Sequence, residues 1–373
     1  MMKILVTGGA GFIGSYITDI LIDAGHEVTI LDNLDPQVHE NGKIPDYLNK
    51  KAVFVKGDVL DYDLFKELIL KSEAVFHEAS AVGVGQSQYE IKHYTDVNVS
   101  GTANMLDIIV NNKHKIRKII VAASMSSYGE GNYMCKKHGV VRPGLRSEEQ
   151  LKNSDWDLYC PKEGCHNRLT PVPTDEKAER QSNSIYAITK ATQEDLVLNI
   201  GKTYGIPAIA LRYFNVYGPR QSLSNPYTGV AAIFMSRIKS GNPPIIYEDG
   251  LQARDFISIN DVARANLLAL ESDAANFLGI NIGTGLPVSI LEVAKTIANL
   301  YGSKAEPEIR RKFRKGDVRN CYADITLAKK VLNWHPLVSF EDGMNELIEA
   351  SRNIESTDNY SKAEQELKDK GII

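Results

Sequence analysis

The chain opens on a short apolar run, Lys3–Thr7 (KILVT), that ends in glycines, and helical periodicity follows over Phe12–Ala24. Further short apolar runs at Val28–Leu31, Ala52–Lys56, Ala74–His77 and Lys118–Ala123 predict four more strands, with a helix over Val97–Asn111. A long helix is expected after Ser184 and another buried strand at Ala208–Tyr213. Short β-branched runs that alternate with helices, without Asn-Gly hairpins, predict a parallel sheet covered on both faces. From about Gln221 the pattern loosens into loops, short strands and helices. The expected fold class is therefore α/β: a doubly wound parallel sheet with a smaller C-terminal lobe. Residues 1–220 are expected to form the first domain, with an insertion at 133–174, and 221–350 mainly the second lobe, some segments returning to the first. The tail 351–373 is dense in charge and predicts a solvated helix or a frayed end.

Composition narrows this picture mostly by exclusion. With 373 residues, 43% hydrophobic and 24% charged, the chain has ample material for a core. A net charge of −4 gives no electrostatic case for nucleic acid or an anionic membrane, so an anionic ligand must be held by local groups. The first residues have no apolar leader and no run approaches membrane-spanning length, which makes a cytoplasmic location the expectation. Four cysteines in a chain of this size do not make a disulfide scaffold.

The first chemical signal is the turn after the first strand, Gly8-Gly9-Ala10-Gly11-Phe12-Ile13-Gly14, which opens a helix. Glycines there let the backbone approach a pyrophosphate, whose charge a helix N-terminus favours. Asp32 ends the second strand eighteen residues after Gly14, where a carboxylate can accept from an adenosine ribose and repel a 2′-phosphate. The expected cofactor is NAD. Asp58, closing the third strand, is placed to reach the adenine edge or to cap a helix.

The second signal is Tyr186-Ala187-Ile188-Thr189-Lys190. On a helix, positions i and i+4 share a face, so a phenol and an ammonium enter one space, and the ammonium is expected to lower the phenol's pKa. Ser124 closes the fifth strand, and strand C-termini are where doubly wound sheets carry their chemistry.

These residues resemble the extended short-chain dehydrogenase/reductase family, which has a Rossmann fold, and within it the nucleotide-sugar epimerases and dehydratases. The resemblance spans nearly the whole chain. It rests on the glycine turn, Ser124-Met125-Ser126-Ser127-Tyr128-Gly129, the Tyr-x-x-x-Lys helix, Leu211–Arg220 (LRYFNVYGPR), Arg254–Ile257 (RDFI), Asn281–Gly285 (NIGTG) and Arg314–Asp317 (RKGD). It implies NAD held by Gly8, Gly11, Phe12, Ile13, Gly14, Asp32, Asn33, Asp58, Val59, Ala79, Asn98, Tyr186, Lys190 and Tyr213. Tyr186 would take the proton of the sugar 4-hydroxyl, Ser124 would bond that oxygen, and Lys190 would bind the nicotinamide ribose. Ser124 and Ser126 would face the sugar, while Asn215, Arg254 and Arg314 would hold the diphosphate, with Asp317 near the nucleotide ribose. The family's dehydratases carry an Asp-Glu pair after the strand-end Ser or Thr. Here Met125 and Ser126 stand there, neither fit for that acid–base work, and Asp32 opposes an NADP-dependent reductase. The expected reaction is 4-epimerisation of a nucleotide-diphosphate sugar, with dehydratase or reductase as the alternative. The resemblance also implies a homodimer paired through Val97–Asn111 and Ser184–Tyr204.

The segment between Tyr133 and Thr174 departs from this pattern. It helps to separate Ser124 from Tyr186 by 62 positions, interrupting a connection that is ordinarily short. It holds Cys135, His138, Cys160 and Cys165, two close ligand pairs separated by 21 residues, the spacing of a tetrahedral zinc knuckle. His166 is a competing ligand. A structural zinc is the expectation, against a loop with incidental thiols.

Overall fold

The computed structural model describes residues 1–39, 42–225, 227, 229–354 and 358–372. At its centre are β1 (Lys3–Thr7), β2 (Glu27–Asp32), β3 (Val53–Lys56), β4 (Ala74–His77) and β5 (Lys118–Ser124). With strands Ala208–Tyr213 and Gly279–Ile282 they form one parallel sheet of seven, ordered Gly279–Ile282, Ala208–Tyr213, β5, β4, β1, β2, β3.

The central strands are apolar over most of their length because alternate residues feed two cores. Ile4, Val6, Phe76, Ile120, Ile209 and Leu211 pack on one face, where Ile17, Val262 and Ala265 come from helices Phe12–Asp23 and Ile259–Glu271. Leu5, Val75, Ile119, Val121 and Ala210 pack on the other, against Phe65, Met105, Ile109 and Val197 from helices Tyr62–Leu70, Gly101–Asn111 and Ile185–Tyr204. Both faces are thus covered, as helical crossovers between parallel strands require. Ile259–Glu271 and Gly279–Ile282 belong to this layer although they follow residue 220 in the chain.

The smaller lobe joins strands Asn215–Tyr217, Ala253–Ser258, Pro287–Ser289 and Asn320–Cys321. Helices Val230–Lys239, Ile290–Leu300 and Phe340–Ser351 cover it through Phe234, Met235, Val293, Ile297, Met344 and Leu347.

Two readings need correction. The helix expected at Val97–Asn111 is interrupted, with a π-helical turn at Asp96–Ser100 preceding Gly101–Asn111. The extra residue in that turn accompanies a fully buried Asn98. The tail is not free in solvent. Tyr360–Asp369 is a helix whose Tyr360, Ala363 and Leu367 are buried; Glu364 and Glu366 are half-buried and bonded to the fold, while Lys362, Lys368 and Asp369 are exposed. Three apolar positions at helical spacing suffice to dock a short polar segment.

At the end of β4, His77 is fully buried, with Nδ1 at 2.8 Å from Thr7 Oγ1 and Nε2 at 3.1 Å from Thr102 Oγ1. Burial first, then the Lys190 charge, pushes its pKa down to about 3. The folded imidazole stays neutral while the unfolded one protonates near 6.5, so the native state loses stability as pH falls from 6.5 towards 3. A His77→Gln variant should show a flatter stability curve across that window, measured by urea midpoints at successive pH. An unchanged slope would remove His77 from the acid limb.

Candidate functional site

The carboxyl ends of the parallel strands open into one cavity of about 670 Å³ shared by both lobes. That size lies within the range of small-molecule sites. Its floor is the glycine turn. Gly8 has φ +66°, and a Cβ on Gly14 would stand 2.2 Å from the Gly8 carbonyl oxygen, so side chains are excluded where the chain folds on itself. Gly11 caps helix Phe12–Asp23 without a side chain, leaving the first helical N–H groups for an anion. Asp32 lines the cavity and is held in place by the Ala10 and Leu34 N–H groups at 3.0 and 2.9 Å. Asp58 also faces the cavity, accepting from Asn33 Nδ2 and the Leu60 N–H, while Asp61 caps the following helix.

Of the residues expected to hold NAD, Gly8, Gly11, Phe12, Ile13, Gly14, Asp32, Asn33, Asp58, Val59, Ala79, Tyr186, Lys190 and Tyr213 all line this cavity. Asn98 is outside the cavity lining. Its amide is consumed behind the wall, donating to Ala81 O and Thr189 Oγ1 and accepting from Ser80 Oγ and the Ala81 N–H. It shapes the Ser80-Ala81 turn instead.

Ser124, Tyr186 and Lys190 meet at the middle of the cavity. Ser184 caps their helix by accepting from the Ala187 N–H, and the Tyr186 N–H donates to Ser87 Oγ at 3.0 Å. These bonds set where the phenol stands. Ser126 Oγ donates to Ser124 Oγ at 2.9 Å, and Met125 and Ser126 both face the cavity.

The electrostatics differ from the expectation in one respect. Burial pushes the Tyr186 phenol upward, and the hydrogen bond from Ser124 pulls it back; Lys190 is not among the groups that move it. The lysine reaches past the phenol, with Nζ at 3.4 Å from Ser80 Oγ. Burial pushes its ammonium down, and the Glu78 charge opposes this. Glu78 itself is pushed up by burial and receives a hydrogen bond from Tyr213 at 3.3 Å. Glu78 was not among the sequence candidates, although its place at the carboxyl end of β4 is the same signal that singled out Ser124 at the end of β5.

At the far end lie Asn215, Arg254, Arg314 and Asp317. Arg254 donates to the backbone carbonyls of Ala253, Val318 and Arg319 and meets no carboxylate in an ion pair among the described residues. Arg314 stacks on the Tyr247 ring at 4.5 Å, and its buried Nε has no partner there. The Asn215 Oδ1 is likewise buried and unpartnered. The unpartnered guanidinium N–H suits an anionic acceptor and the unpartnered amide oxygen suits a hydroxyl donor.

The insertion folds as its own small unit beside this end. Strands Asn132–Cys135, Gly139–Val141 and Thr170–Val172 pair antiparallel around Tyr133, Leu158 and Leu169. Cys135, His138, Cys160 and Cys165 converge, their ligand atoms all within 4.8 Å of one another. The Cys135 and Cys165 sulfurs are 3.8 Å apart, and His138 Nδ1 is 3.7 Å from Cys135 Sγ and 3.3 Å from Cys160 Sγ. His166 is exposed and outside the cluster.

The insertion is bolted to the loop carrying Arg314 and Asp317. Arg146 binds both Glu248 oxygens at 2.8 and 2.9 Å and donates to the Asp317 carbonyl at 3.1 Å. Glu130 accepts from the Arg319 and Asn320 N–H groups, and Arg319 reaches Glu248 and Asp249.

Comparison with known proteins agrees with this architecture. Residues 4–144 match the model of the NAD dependent epimerase/dehydratase family, and 168–347 match one described as GDP-mannose 4,6 dehydratase. The chain is 37% identical to a dTDP-L-rhamnose 4-epimerase of Burkholderia thailandensis, covering 92% of this chain and 93% of that protein. It superimposes on the UDP-glucose 4-epimerase of Thermotoga maritima, solved with UDP-glucose, with TM-score 0.76 and 31% identity over 94% of this chain and 99% of that one. The Bacillus cereus UDP-glucuronic acid 4-epimerase, solved with UDP-glucuronic acid and NAD, gives TM-score 0.73 at 28% identity, covering 95% of this chain and 100% of that one.

Proposed function

The chain belongs to the NAD-dependent epimerase/dehydratase family, and from that premise we propose that it epimerises a nucleotide-diphosphate sugar at C4. One observation carries the reading: the glycine turn, Ser124, Tyr186, Lys190 and two arginines outside any described ion pair line a single cavity. The glycine turn fits a dinucleotide pyrophosphate, since it presents helix N–H groups where any Cβ would intrude. Asp32 at its rim favours NAD over NADP.

Bound NAD would supply the hydride acceptor and donor. Tyr186 takes the proton of the 4-hydroxyl as C4 becomes a ketone, and Ser124 holds the same oxygen. Lys190 binds ribose hydroxyls beside Ser80. Burial raises the phenol and the Ser124 hydrogen bond lowers it, so Ser124 is the group that favours the phenolate able to accept the proton. Tyr186 returns the proton once the ketone has presented its other face. Arg254 and Arg314 keep the diphosphate in place meanwhile, with Asn215 and Asp317 beside them. Elimination of water is disfavoured because Met125 and Ser126 offer no acid–base pair next to Ser124. The substrate class is a UDP-hexose or a dTDP-6-deoxyhexose, with polysaccharide precursors as the setting. Incubation with UDP-, dTDP- and GDP-sugars, followed by NMR, tests the reading: a C4 epimer supports it, and a 4-keto-6-deoxy product favours the dehydratase.

The proposal includes a structural zinc on Cys135, His138, Cys160 and Cys165. Zn–S bonds of about 2.3 Å at tetrahedral angles put sulfurs about 3.8 Å apart, which fits the Cys135–Cys165 separation. Four protein ligands leave no position for substrate. Metal analysis should find about one zinc per chain. Chelation should lower the melting temperature and weaken nucleotide-sugar binding while NAD stays bound. Protein without stoichiometric zinc, yet equally stable, would contradict this. Pairing of two copies through Val97–Asn111 and Ser184–Tyr204 completes the proposal, and a monomer in sedimentation would remove that part.

A further inference from the structure

The docked tail does more than cover the fold. Tyr360, Ala363, Glu364, Leu367 and Ile372 line the same cavity as the catalytic residues. The helix is fastened to the smaller lobe at its start, where the Tyr360 hydroxyl lies 3.0 Å from that of Tyr247, the ring on which Arg314 stacks. Arg310 pairs with Glu364 at 2.8 Å, and the Ile372 carbonyl accepts from the Lys315 N–H. Its other side reaches the cofactor domain. A Cβ on Gly85 would stand 3.1 Å from Leu367 Cδ2, and two residues on, Ser87 accepts the Tyr186 N–H. Glu366 accepts from the Tyr227 hydroxyl, itself the partner of Tyr89. The helix therefore runs from the diphosphate end to the catalytic end and brings an apolar side chain close to the loop that seats Tyr186.

We infer that the C-terminal helix is a wall of the sugar pocket, and that Leu367 with Ala363 selects a sugar whose face towards them is uncharged. This rests on the nucleotide-sugar reading above. An apolar wall packs against a methyl or methylene, whereas a carboxylate placed there must surrender its water without a cation to receive it. Of the lysines and arginines lining the cavity, Arg254, Arg314 and Lys315 stand at the diphosphate end and Lys190 stands by Ser80 and Glu78, while Glu364 of the helix itself adds a carboxylate to the wall. Neutral or 6-deoxy hexoses are accordingly preferred to hexuronates.

NAD-loaded full-length protein is titrated calorimetrically with UDP-glucose, dTDP-rhamnose and UDP-glucuronate, and each mixture is checked for the C4 epimer. The wild type should bind one of the two neutral sugars at least about 10-fold more tightly than the uronate. Leu367→Asp should weaken that neutral sugar by at least about 10-fold, with NAD content unchanged. Leu367→Ala, which preserves the fold with less risk, should weaken it about 3-fold or more. Preference for the uronate, or native affinity in both variants, overturns the inference. Binding that responds to Leu367 without any epimer formed sustains the wall and overturns only the proposed reaction. Failure to bind all three sugars overturns both.

Discussion

Tyr186→Phe is expected to lower turnover by about 10²–10⁴-fold, the usual share of a positioned acid–base group, while NAD remains bound. The phenol lines the cavity beside Ser124, and the Tyr186 backbone N–H is fixed by Ser87. Removing one oxygen leaves the helix, its Ser184 cap and the Lys190 contact to Ser80 intact. KM should therefore change little and kcat should carry the loss, as it does when an interaction made in the transition state is deleted. Steady-state kinetics together with cofactor content after heat release check this. Undiminished turnover would take Tyr186 out of the chemistry; loss of NAD would recast it as a binding residue.

Arg146→Met should produce the second large effect, on stability and substrate affinity together. Arg146 and Glu248 are 1% and 2% exposed, and losing one partner of a buried pair costs about 3–5 kcal/mol. The lower end is expected because Arg319 still faces Glu248 at 2.9 Å. The Asp317 carbonyl also loses its donor, which frees the loop carrying Arg314. KM for the nucleotide sugar should rise while NAD content stays the same. Urea unfolding and KM measurements check the two halves. A stable variant with native KM would mean the insertion does not brace the substrate loop.

The central sheet was legible because its buried strands carry short continuous apolar runs and glycines mark the first turn. Ser124, Tyr186 and Lys190 were legible for a similar reason, since a strand end and an i, i+4 pair are local patterns. What each side chain faces was not local. Lys190 turned towards Ser80 and Glu78, so its expected effect on Tyr186 is absent from the causes of the tyrosine's shift. Asn98, expected at the cofactor, lies behind the cavity lining beside a π-helical turn, a feature that helical periodicity smooths over. In the insertion, spacing picked out three cysteines and His138 but left His166, next to Cys165, as a competing ligand; the hairpin brings His138 to the sulfurs and leaves His166 outside. The tail was misread because its charge outweighs the three apolar positions, Tyr360, Ala363 and Leu367, by which it docks. Its contacts to Tyr247 and Tyr227 lie 113 and 139 residues away in the chain, beyond any sequence window.

The central claim is a reversible oxidation at C4 inside the cavity shared by both lobes, with the hydride returned to the sugar that gave it. The most direct measurement uses a nucleotide sugar deuterated at C4, incubated with the purified protein without added cofactor and followed by NMR. The account predicts a C4 epimer that keeps its deuterium at C4. An epimer with solvent hydrogen at that carbon, or inversion at another carbon, would contradict it.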